Sequence, residues 1–326
     1  MSEKTLVTGA GGFIGSHLVE QLVRDGYSVR AFVHYNSANS WGNLDRLPQD
    51  VLDGVEVVAG DLSDGFMVDR AVQGCGLVFH LGALIGIPYS YVAPAAYVTT
   101  NITGTVNVLE ACRRHHVRRL MHTSTSEVYG SAQYTPIDEQ HPLVGQSPYS
   151  ASKIGADKLV ESYWRSFGTP SVTVRPFNTY GPRQSARAVI PTIVTQALAG
   201  HEVRLGSADT VRDFTFVEDT AAGFVAAAKA SGVDGEVINL GTGSAVTVGE
   251  IVDRVAEILS KPLQLTLDPS RVRPAASEVQ RLIADNRRAL RLLDWSPEVT
   301  LQKGLAITVE AVASALDRYK VGVYSV

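Results

Sequence analysis

A glycine-rich turn between the first apolar run and the first helical pattern constrains this chain more than any other feature. Residues 5–8 form a short apolar run typical of a buried strand, and an amphipathic pattern over 14–24 follows. The turn between them reads Gly9-Ala10-Gly11-Gly12-Phe13-Ile14-Gly15. Glycine is needed where a backbone turns tightly, approaches a pyrophosphate or lets a helix pack on a strand. The context favours a dinucleotide site over a merely structural turn, with contacts from Gly9, Gly12, Phe13, Ile14 and Gly15.

Strand and helix patterns then alternate along the first half of the chain. Strands are predicted over 28–33, 55–59, 77–80, 119–123 and 172–175, with helices near 67–72 and 95–114 between them. Such alternation requires crossovers of one hand and gives a parallel sheet covered on both faces. We therefore expect an α/β protein with a Rossmann doubly wound parallel sheet.

The second half of the chain has a different texture. From about residue 177 it contains more loops and prolines, although 213–231 and 237–240 again look like strands and helices. This change predicts a smaller, partly interleaved C-terminal substrate domain. The expected division is a dinucleotide-binding domain over 1–176, to which 213–245 partly return, and a substrate domain over 177–326.

Composition narrows the functional classes. With 45% hydrophobic and 19% charged residues among 326, the chain can bury a large core. A net charge of -4 gives no electrostatic reason to expect nucleic acid or an anionic membrane as a partner. Cys75 and Cys112 have no metal-ligand spacing, so we expect neither a metal site nor a disulfide. With no membrane-spanning run and no leader pattern, the expected location is the cytoplasm.

The end of the second predicted strand bears on the choice of cofactor. An acidic residue there would bind the adenosine ribose of NAD, and an arginine would accept the extra phosphate of NADP. The sequence has His34-Tyr35-Asn36-Ser37 at this position, with neither. Asp61 and Leu62, after the third strand, suit adenine contacts. We expect NAD, with NADP as the alternative, and count His34, Asp61 and Leu62 among the cofactor-binding residues.

A tyrosine and a lysine share one face of a predicted helix. Ser147 is a natural N-cap and Pro148 a first helical residue, which places Tyr149 and Lys153 at i and i+4. A lysine ammonium near a phenol favours phenolate and lowers its pKa, and it can also hold a nicotinamide ribose. Tyr149 could then take a proton from a sugar alcohol while a hydride leaves. The alternative is an ordinary exposed pair.

Together these motifs resemble the extended short-chain dehydrogenase/reductase family, in particular its NAD-dependent nucleotide-sugar epimerase/dehydratase branch. The resemblance extends over nearly the whole chain. Besides the glycine turn and the Tyr149/Lys153 pair, it rests on Asp61-Leu62, His80-Leu81-Gly82-Ala83, Asn101, the TSTSEVYG stretch over 123–130, the RPFNTYGP stretch over 175–182, Arg212-Asp213-Phe214 and Arg273-Pro274.

The resemblance implies further roles. Leu81, Ala83 and Asn101 would contact the cofactor, Thr125 would hydrogen-bond the sugar C4 hydroxyl, and Tyr149 with Lys153 would remove its proton. The C-terminal domain would bind a nucleotide sugar. A homodimer is implied, formed through helices that would span 95–114 and 149–167.

A single carboxylate, Glu127, stands among the hydroxyls of TSTSEVYG. Family dehydratases have Thr-Asp-Glu there, with the Asp as acid for the C6 hydroxyl and the Glu as base for the C5 proton. This chain has Thr125-Ser126-Glu127, which keeps the base and lacks the usual acid. Glu127 could return the proton that it took, or Ser126 could relay it. The alternative is a structural carboxylate bonded to backbone amides. Family 4-epimerases have small residues there, whereas UDP-glucuronate decarboxylases share Thr-Ser-Glu.

The resemblance also implies a nucleotide-sugar site. Arg212 and Arg273 match diphosphate-binding positions, Asn178 would lie near the sugar, and Arg183 and Arg187 could meet a C6 carboxylate. The family's Pro-Gly-Asp is Pro274-Ala275-Ala276 here. The runs over 35–42, 85–91 and 181–191 are similar to those of 4,6-dehydratases for legionaminic-acid-type sugars. We expect a dehydratase of UDP- or GDP-N-acetylglucosamine; a 4-epimerase, a UDP-glucuronate decarboxylase and a non-catalytic nucleotide-sugar sensor are the alternatives.

Overall fold

The computed structural model describes residues 3–272 and 274–321. Within them, the strands in chain order are β1 (Lys4–Thr8), β2 (Ser28–His34), β3 (Val55–Gly60), β4 (Leu77–His80), β5 (Arg119–Thr123), β6 (Ser171–Pro176), β7 (Asn178–Tyr180), β8 (Glu202–Leu205), β9 (Val211–Arg212), β10 (Phe214–Phe216), β11 (Val237–Leu240), β12 (Val246–Thr247) and β13 (Gln264–Leu267).

The α-helices of the same residues are α1 (Phe13–Arg24), α2 (Gln49–Leu52), α3 (Gly65–Val72), α4 (Ile87–Val92), α5 (Pro94–Tyr97), α6 (Gly104–Arg114), α7 (Pro148–Phe167), α8 (Val189–Ala199), α9 (Val217–Lys229), α10 (Val248–Leu259), α11 (Arg287–Leu293) and α12 (Leu301–Ala313). A π-helical segment, Val98–Thr103, joins α5 to α6. None of the helices in 3–272 and 274–321 has the length and apolar character needed to cross a bilayer.

One seven-stranded sheet organises the molecule. Its order is β11-β6-β5-β4-β1-β2-β3, and every neighbouring pair is parallel. The α/β expectation and the doubly wound topology are therefore confirmed. The chain reverses direction across the sheet between β1 and β4, and ligands of such sheets bind outside the carboxyl ends of the strands at this point.

Two apolar clusters cover the two faces of the sheet. On one face, Leu18 and Leu22 of α1 and Phe224 of α9 are fully buried with Trp295, which follows α11. On the other face, α3, α6 and α7 contribute buried Val68, Val108, Leu109 and Val160. Residues 287–295 thus return to the sheet, as do α9 and β11. The sequence prediction does not include the return of 287–295, and the domain division proposed from sequence stays a prediction.

A third cluster lies among α8, α10 and α12. Tyr180 and Phe216, from the parallel pair β7 and β10, pack in this cluster with buried residues of the three helices. The parallel pair β8 and β13 contributes Val203 and Leu205 to the same cluster. Next to this second layer lie β9 and the loop after β7, of which Arg212, Gln184 and Arg187 share a cavity with residues at the carboxyl ends of the sheet.

Arg119 joins the start of β5 to the end of α9 and should be costly to remove. Its Nε donates to Asp234 Oδ1 at 2.7 Å, its Nη1 donates to the carbonyls of Ala227, Ala228 and Ala230, and its side chain is 8% exposed. Breaking such a buried pair costs about 3–5 kcal/mol because the remaining polar groups lose their partner. We expect Arg119→Ala to lower the free energy of unfolding, measured in urea, by about 3 kcal/mol.

Arg114→Ala is the matched control. Arg114 also pairs with an aspartate, Asp69, at 2.6 Å, but its side chain is 61% exposed. Solvent-exposed pairs contribute about 0–1 kcal/mol. If both variants lowered the free energy of unfolding by the same amount, burial would not be the reason why the Arg119 pair matters.

Candidate active site

A cavity of about 980 Å³ opens at the carboxyl ends of β1, β4, β5 and β6. One side is formed by the glycine turn and by Leu81, Gly82 and Ala83 after β4. The opposite side is formed by residues from β7 onward, including Asn178, Arg187 and Arg212. Thr125, Glu127, Tyr149 and Lys153 line the cavity between these two sides.

The glycine turn is shaped by close backbone contacts. Gly9 has φ +66°, and a Cβ there would lie 2.7 Å from the amide nitrogen of Gly82. A Cβ on Gly15 would lie 2.2 Å from the carbonyl oxygen of Gly9. Helix α1 begins after Gly12, and no side chain caps it. The first turn of α1 therefore presents amides and a positive helix dipole to the cavity, which suits a pyrophosphate.

The loop after β2 is held in place by Asn36. Its Oδ1 accepts from the amides of Ala38 and Ser40, and its Nδ2 donates to the carbonyls of His34 and Ser40. His34 lines the cavity, and its Nδ1 lies 3.7 Å from Asp61 Oδ2. Asp61 is therefore next to the rim, outside the lining. Leu62 also lies outside the lining, because it packs beneath Gly82, where an added Cβ would be 2.7 Å from Leu62 Cδ1.

Helix α7 positions Tyr149 and Lys153. The predicted cap is confirmed, since Ser147 Oγ accepts from the amide of Ser150 and Pro148 is the first helical residue. Both functional side chains are buried, with 7% exposure for Tyr149 and 4% for Lys153. Lys153 Nζ donates to the carbonyl of Thr123, at the end of β5, at 2.6 Å.

Burial dominates the protonation of this pair. Burial raises the pKa of Tyr149 above its ordinary value, a hydrogen bond with Thr125 lowers it, and the Glu127 carboxylate raises it. Burial lowers the pKa of Lys153 to about 8, against the raising effect of the Asp157 carboxylate. The expected depression of the phenol pKa is wrong for the protein alone, because burial of the phenol raises its pKa more than the Thr125 hydrogen bond lowers it.

The TSTSEVYG stretch forms a tight turn after β5. Thr125 Oγ1 accepts from the amide of Glu127 at 3.2 Å and so caps the 3-10 turn Ser126–Tyr129. Thr125 and Glu127 are half-buried and line the cavity, whereas Ser126 between them is 3% exposed and is not among the residues that line it. The relay through Ser126 stays a prediction, and the burial of this side chain counts against it because a relay has to meet the reacting group.

Asn101 supports the site from behind. Its Oδ1 accepts from the amide of Leu84 at 2.8 Å, and its Nδ2 donates to the carbonyl of Leu84 and to Ser152 Oγ, each at 2.9 Å. These bonds occupy its polar atoms and tie the segment after β4 to α7. Asn101 lies in the π-helical segment that interrupts the helix predicted over 95–114, and it does not line the cavity. Its predicted role as a direct cofactor contact is corrected to a supporting one.

The predicted substrate-binding residues divide into three groups. Asn178, Arg187 and Arg212 line the cavity. Arg183 does not: its side chain is 9% exposed and pairs with Glu20 of α1 at 2.8 Å, and its Nε donates to His17 at 3.0 Å. Its predicted substrate contact is corrected, because this buried ion pair fastens the loop after β7 to α1. Arg273 lies outside the described residues.

Sequence reasoning missed two acidic residues of this region. Glu278 lines the cavity and accepts from Arg212 Nη2 at 3.2 Å, across 66 positions of sequence. No local pattern would have indicated this pair. Asp157, one turn after Lys153 on α7, is buried beneath the site, and the i+4 spacing could have drawn attention to it.

Comparisons with known proteins agree with this geometry. The sequence model of the family described as GDP-mannose 4,6 dehydratase matches residues 6–308. The chain belongs to this family. It is 34% identical to a UDP-glucose 4-epimerase of Mycolicibacterium smegmatis over 94% of the chain and 97% of that relative. It is equally 34% identical to a dTDP-glucose 4,6-dehydratase of an Actinoplanes species, over 94% of the chain and 96% of that relative.

A solved relative has the same fold. The structure of the dTDP-glucose 4,6-dehydratase DesIV from Streptomyces venezuelae, with NAD and TYD bound, superposes with a TM-score of 0.87 at 29% identity. The match extends over 97% of this chain and 99% of that one. The family thus includes both dehydratases and epimerases, and the reaction must be argued from the side chains of the cavity.

The packing of Gly15 against Gly9 gives a test of the turn. We expect Gly15→Ala to lower the free energy of unfolding by about 1–3 kcal/mol, because the added methyl group has to push the backbone of the turn apart. Gly200→Ala is the control, since nothing lies within 4 Å of a Cβ at that position. Thermal unfolding of the two variants measures the difference, and an unaltered melting temperature for Gly15→Ala would contradict the close approach.

Proposed function

We propose that the protein is an NAD-dependent nucleotide-hexose 4,6-dehydratase, which converts its substrate to the 4-keto-6-deoxy sugar with loss of water. The observation behind this proposal is that Glu127 lines the same cavity as Thr125 and Tyr149. A carboxylate is not needed to invert C4, but it is needed to remove the C5 proton once C4 is a ketone.

Residues on the sheet side of the cavity would hold NAD. The glycine turn suits the pyrophosphate, His34 and the Asn36 loop lie where the adenosine ribose would bind, and Lys153 would hold the nicotinamide ribose. Bound NAD supplies a hydride acceptor for C4 and a hydride donor for C6. Leu81 and Ala83 would form the wall beside the ring, with Asp61 next to the adenine rim.

Tyr149, assisted by Thr125 and Lys153, would remove the proton from the C4 hydroxyl. Thr125 orients that hydroxyl toward the phenol, with which it already shares a hydrogen bond. Because burial raises the pKa of Tyr149, the phenolate forms only with positive charge beside it. Lys153 supplies this charge below pH about 8, the pKa that burial gives it.

Glu127 would perform both proton steps of the elimination. Oxidation at C4 acidifies C5, so the carboxylate can take the C5 proton and then give a proton to the departing C6 oxygen, which leaves as water. Once a hydride has returned to C6, C5 takes up a proton from solvent, and this completes the 4-keto-6-deoxy product. With Ser126 buried outside the cavity, Glu127 is the acid that the motif retains. Loss of both groups from one face of the sugar follows from the use of a single residue.

The side of the cavity formed from β7 onward would bind the nucleotide sugar. Arg212 is the proposed diphosphate ligand, together with Arg273, and Asn178 lies where the sugar would follow. Asp213 holds β9 in place, because its carboxylate accepts from the amides of Thr242, Gly243 and Ala284. UDP- and GDP-N-acetylglucosamine are the first candidate substrates, by similarity to the legionaminic-acid-type dehydratases. Homodimer formation and a cytoplasmic location stay predictions.

A 4-epimerase is the second candidate. The epimerase and dehydratase relatives are equally similar to this chain, at 34% identity each. A UDP-glucuronate decarboxylase is the third, because Arg187 lines the cavity and lies beside Gly86, where an added Cβ would be 3.4 Å from its Nη1. That cation could meet a C6 carboxylate.

The product mass separates these reactions. The holoenzyme is incubated with UDP-N-acetylglucosamine, GDP-N-acetylglucosamine, dTDP-glucose and UDP-glucuronic acid, and the products are weighed. A dehydratase gives loss of water, a decarboxylase gives loss of carbon dioxide, and an epimerase leaves the mass unchanged. A sensor gives no product with any of them. Substrate deuterated at C4 should place its label at C6 of the dehydrated product.

Substitution of Glu127 tests the assignment of the proton steps. We expect Glu127→Gln to lower kcat for water loss by about 10²–10⁴-fold, because the amide cannot take the C5 proton. Oxidation at C4 should persist, so that reduced NAD accumulates on the enzyme and is detected by its ultraviolet absorbance. Glu257→Gln, an exposed position on α10, is the matched control.

Ser126→Ala discriminates between the two acids considered. If Glu127 serves alone, this variant retains turnover; if the hydroxyl relays the proton, turnover falls as it does for Glu127→Gln. Full water loss by Glu127→Gln would refute the role of the carboxylate.

A further inference from the structure

A buried carboxylate that the mechanism above does not use lies directly beneath the active site. Asp157, on α7, is 5% exposed. Its Oδ1 accepts from His122 Nε2 at 3.1 Å, and its Oδ2 accepts from Ser124 Oγ at 2.7 Å and from Arg175 Nη2 at 2.9 Å. A charge buried in this way destabilises the fold unless it is paired. Here the partners of the carboxylate lie on β5, directly after β5, and on β6.

Asp157 and Arg175 form an ion pair, and hydrogen bonds from its two members reach both ends of the turn that bears Thr125 and Glu127. At the first end, Ser124 is bound by Asp157. At the second end, Tyr129 Oη accepts from Arg175 Nη1 at 3.0 Å and donates to Asn239 Oδ1 at 2.7 Å. The turn over 124–129 is thus fastened at each end to one ion pair, whose carboxylate, Asp157, lies on the helix of Tyr149 and Lys153 and whose cation, Arg175, lies on β6.

We propose that Asp157 is a positioning residue, which together with Arg175 fixes the 124–129 turn on α7 and keeps Lys153 charged. The part concerning catalysis rests on the function proposed above. Asp157 follows Lys153 by four residues, so the two side chains share a face of the helix. Removal of its carboxylate leaves Lys153 buried with less negative charge beside it.

The titratable and charged groups around Asp157 and Lys153 come from α7 itself and from the elements packed against it. Tyr149 lies on α7 itself, His122 on β5, His80 on β4, Arg175 on β6 and Glu127 on the turn. Burial lowers the pKa of His122 and of His80, so both stay neutral through neutral pH. Burial raises the pKa of Asp157, but the His122 hydrogen bond and the Arg175 charge outweigh burial and lower this pKa to about 2. Lys153 is therefore the group whose titration Asp157 changes near pH 8.

The pH dependence of unfolding tests the charge without a substrate. Lys153 has a pKa of about 8 when folded and 10.5 as its ordinary value, so stability rises with pH between these values. In Asp157→Asn the pKa of Lys153 in the folded protein falls further, so the rise of stability with pH begins at a lower pH. The loss of stability relative to wild type should therefore narrow as pH increases from about 6.5 to 8. A loss that stays constant over this range would overturn the charge role.

Asp219→Asn is the matched control for that measurement. Asp219 is also buried, at 6% exposure, and accepts from the amides of Glu298 and Val299, away from Lys153. Its substitution should destabilise the protein by an amount that does not change between pH 6.5 and 8. Narrowing for both variants would show a general effect of lost buried charge and would overturn the assignment to Lys153.

Turnover tests the positioning. The probes are UDP-N-acetylglucosamine and dTDP-glucose, with holoenzyme at pH 7. Ser124→Ala removes one of the hydrogen bonds that fasten the 124–129 turn to the Asp157–Arg175 pair, and it removes no charge. We expect this variant to lower kcat about tenfold with KM nearly unchanged. Asp157→Glu should keep the wild-type pH dependence of stability and have a lower kcat.

A wild-type kcat in Ser124→Ala would contradict the positioning role of Asp157. This outcome can be read even if Asp157→Asn fails to fold. Wild-type enzyme that removes water from neither of the two probe sugars, nor from GDP-N-acetylglucosamine, would refute the proposed function, and the unfolding measurement would still decide the charge role.

Discussion

Close approach of the glycine turn to the segment after β4 is the constraint on which the site depends. Because β1 and β4 are neighbours at the point where the sheet reverses, Gly9 meets Gly82 with no room for a Cβ. This contact lets α1 begin at the sheet edge with its amides toward the cavity. The ends of β5 and β6 lie at the same edge, so the proposed cofactor site and the proposed reacting side chains share one cavity.

Desolvation sets the electrostatics of that cavity. Burial works against charge on both Tyr149 and Lys153, so an uncompensated pair would be neutral tyrosine and a lysine that readily loses its proton. The Asp157 carboxylate on α7 supplies negative charge on the lysine side, and Thr125 supplies a hydrogen bond on the phenol side. With this balance, one added positive charge in the cavity would favour the phenolate of Tyr149. Oxidation of a sugar alcohol by a cationic cofactor requires that phenolate as the base.

Sequence predicted the features that depend on local pattern. The strand, glycine turn and helix, the Ser147 cap and the single face shared by Tyr149 and Lys153 follow from neighbours a few residues apart. The errors concern side-chain direction and distant partners. Ser126 and Glu127 are adjacent, and only the turn geometry decides which one lines the cavity. Arg183 looked like a substrate ligand because its partner, Glu20, is 163 positions away. Glu278 was missed for the same reason.

The central claim is that Glu127 acts at C5 after C4 has been oxidised. Turnover of the wild-type holoenzyme in deuterated water, followed by mass spectrometry and NMR of the product, tests this claim most directly. The account predicts a 6-deoxy-4-keto sugar that has gained a single deuterium at C5. A product inverted at C4 with hydrogen retained at C5 would contradict it, because the carboxylate would then have no proton to remove.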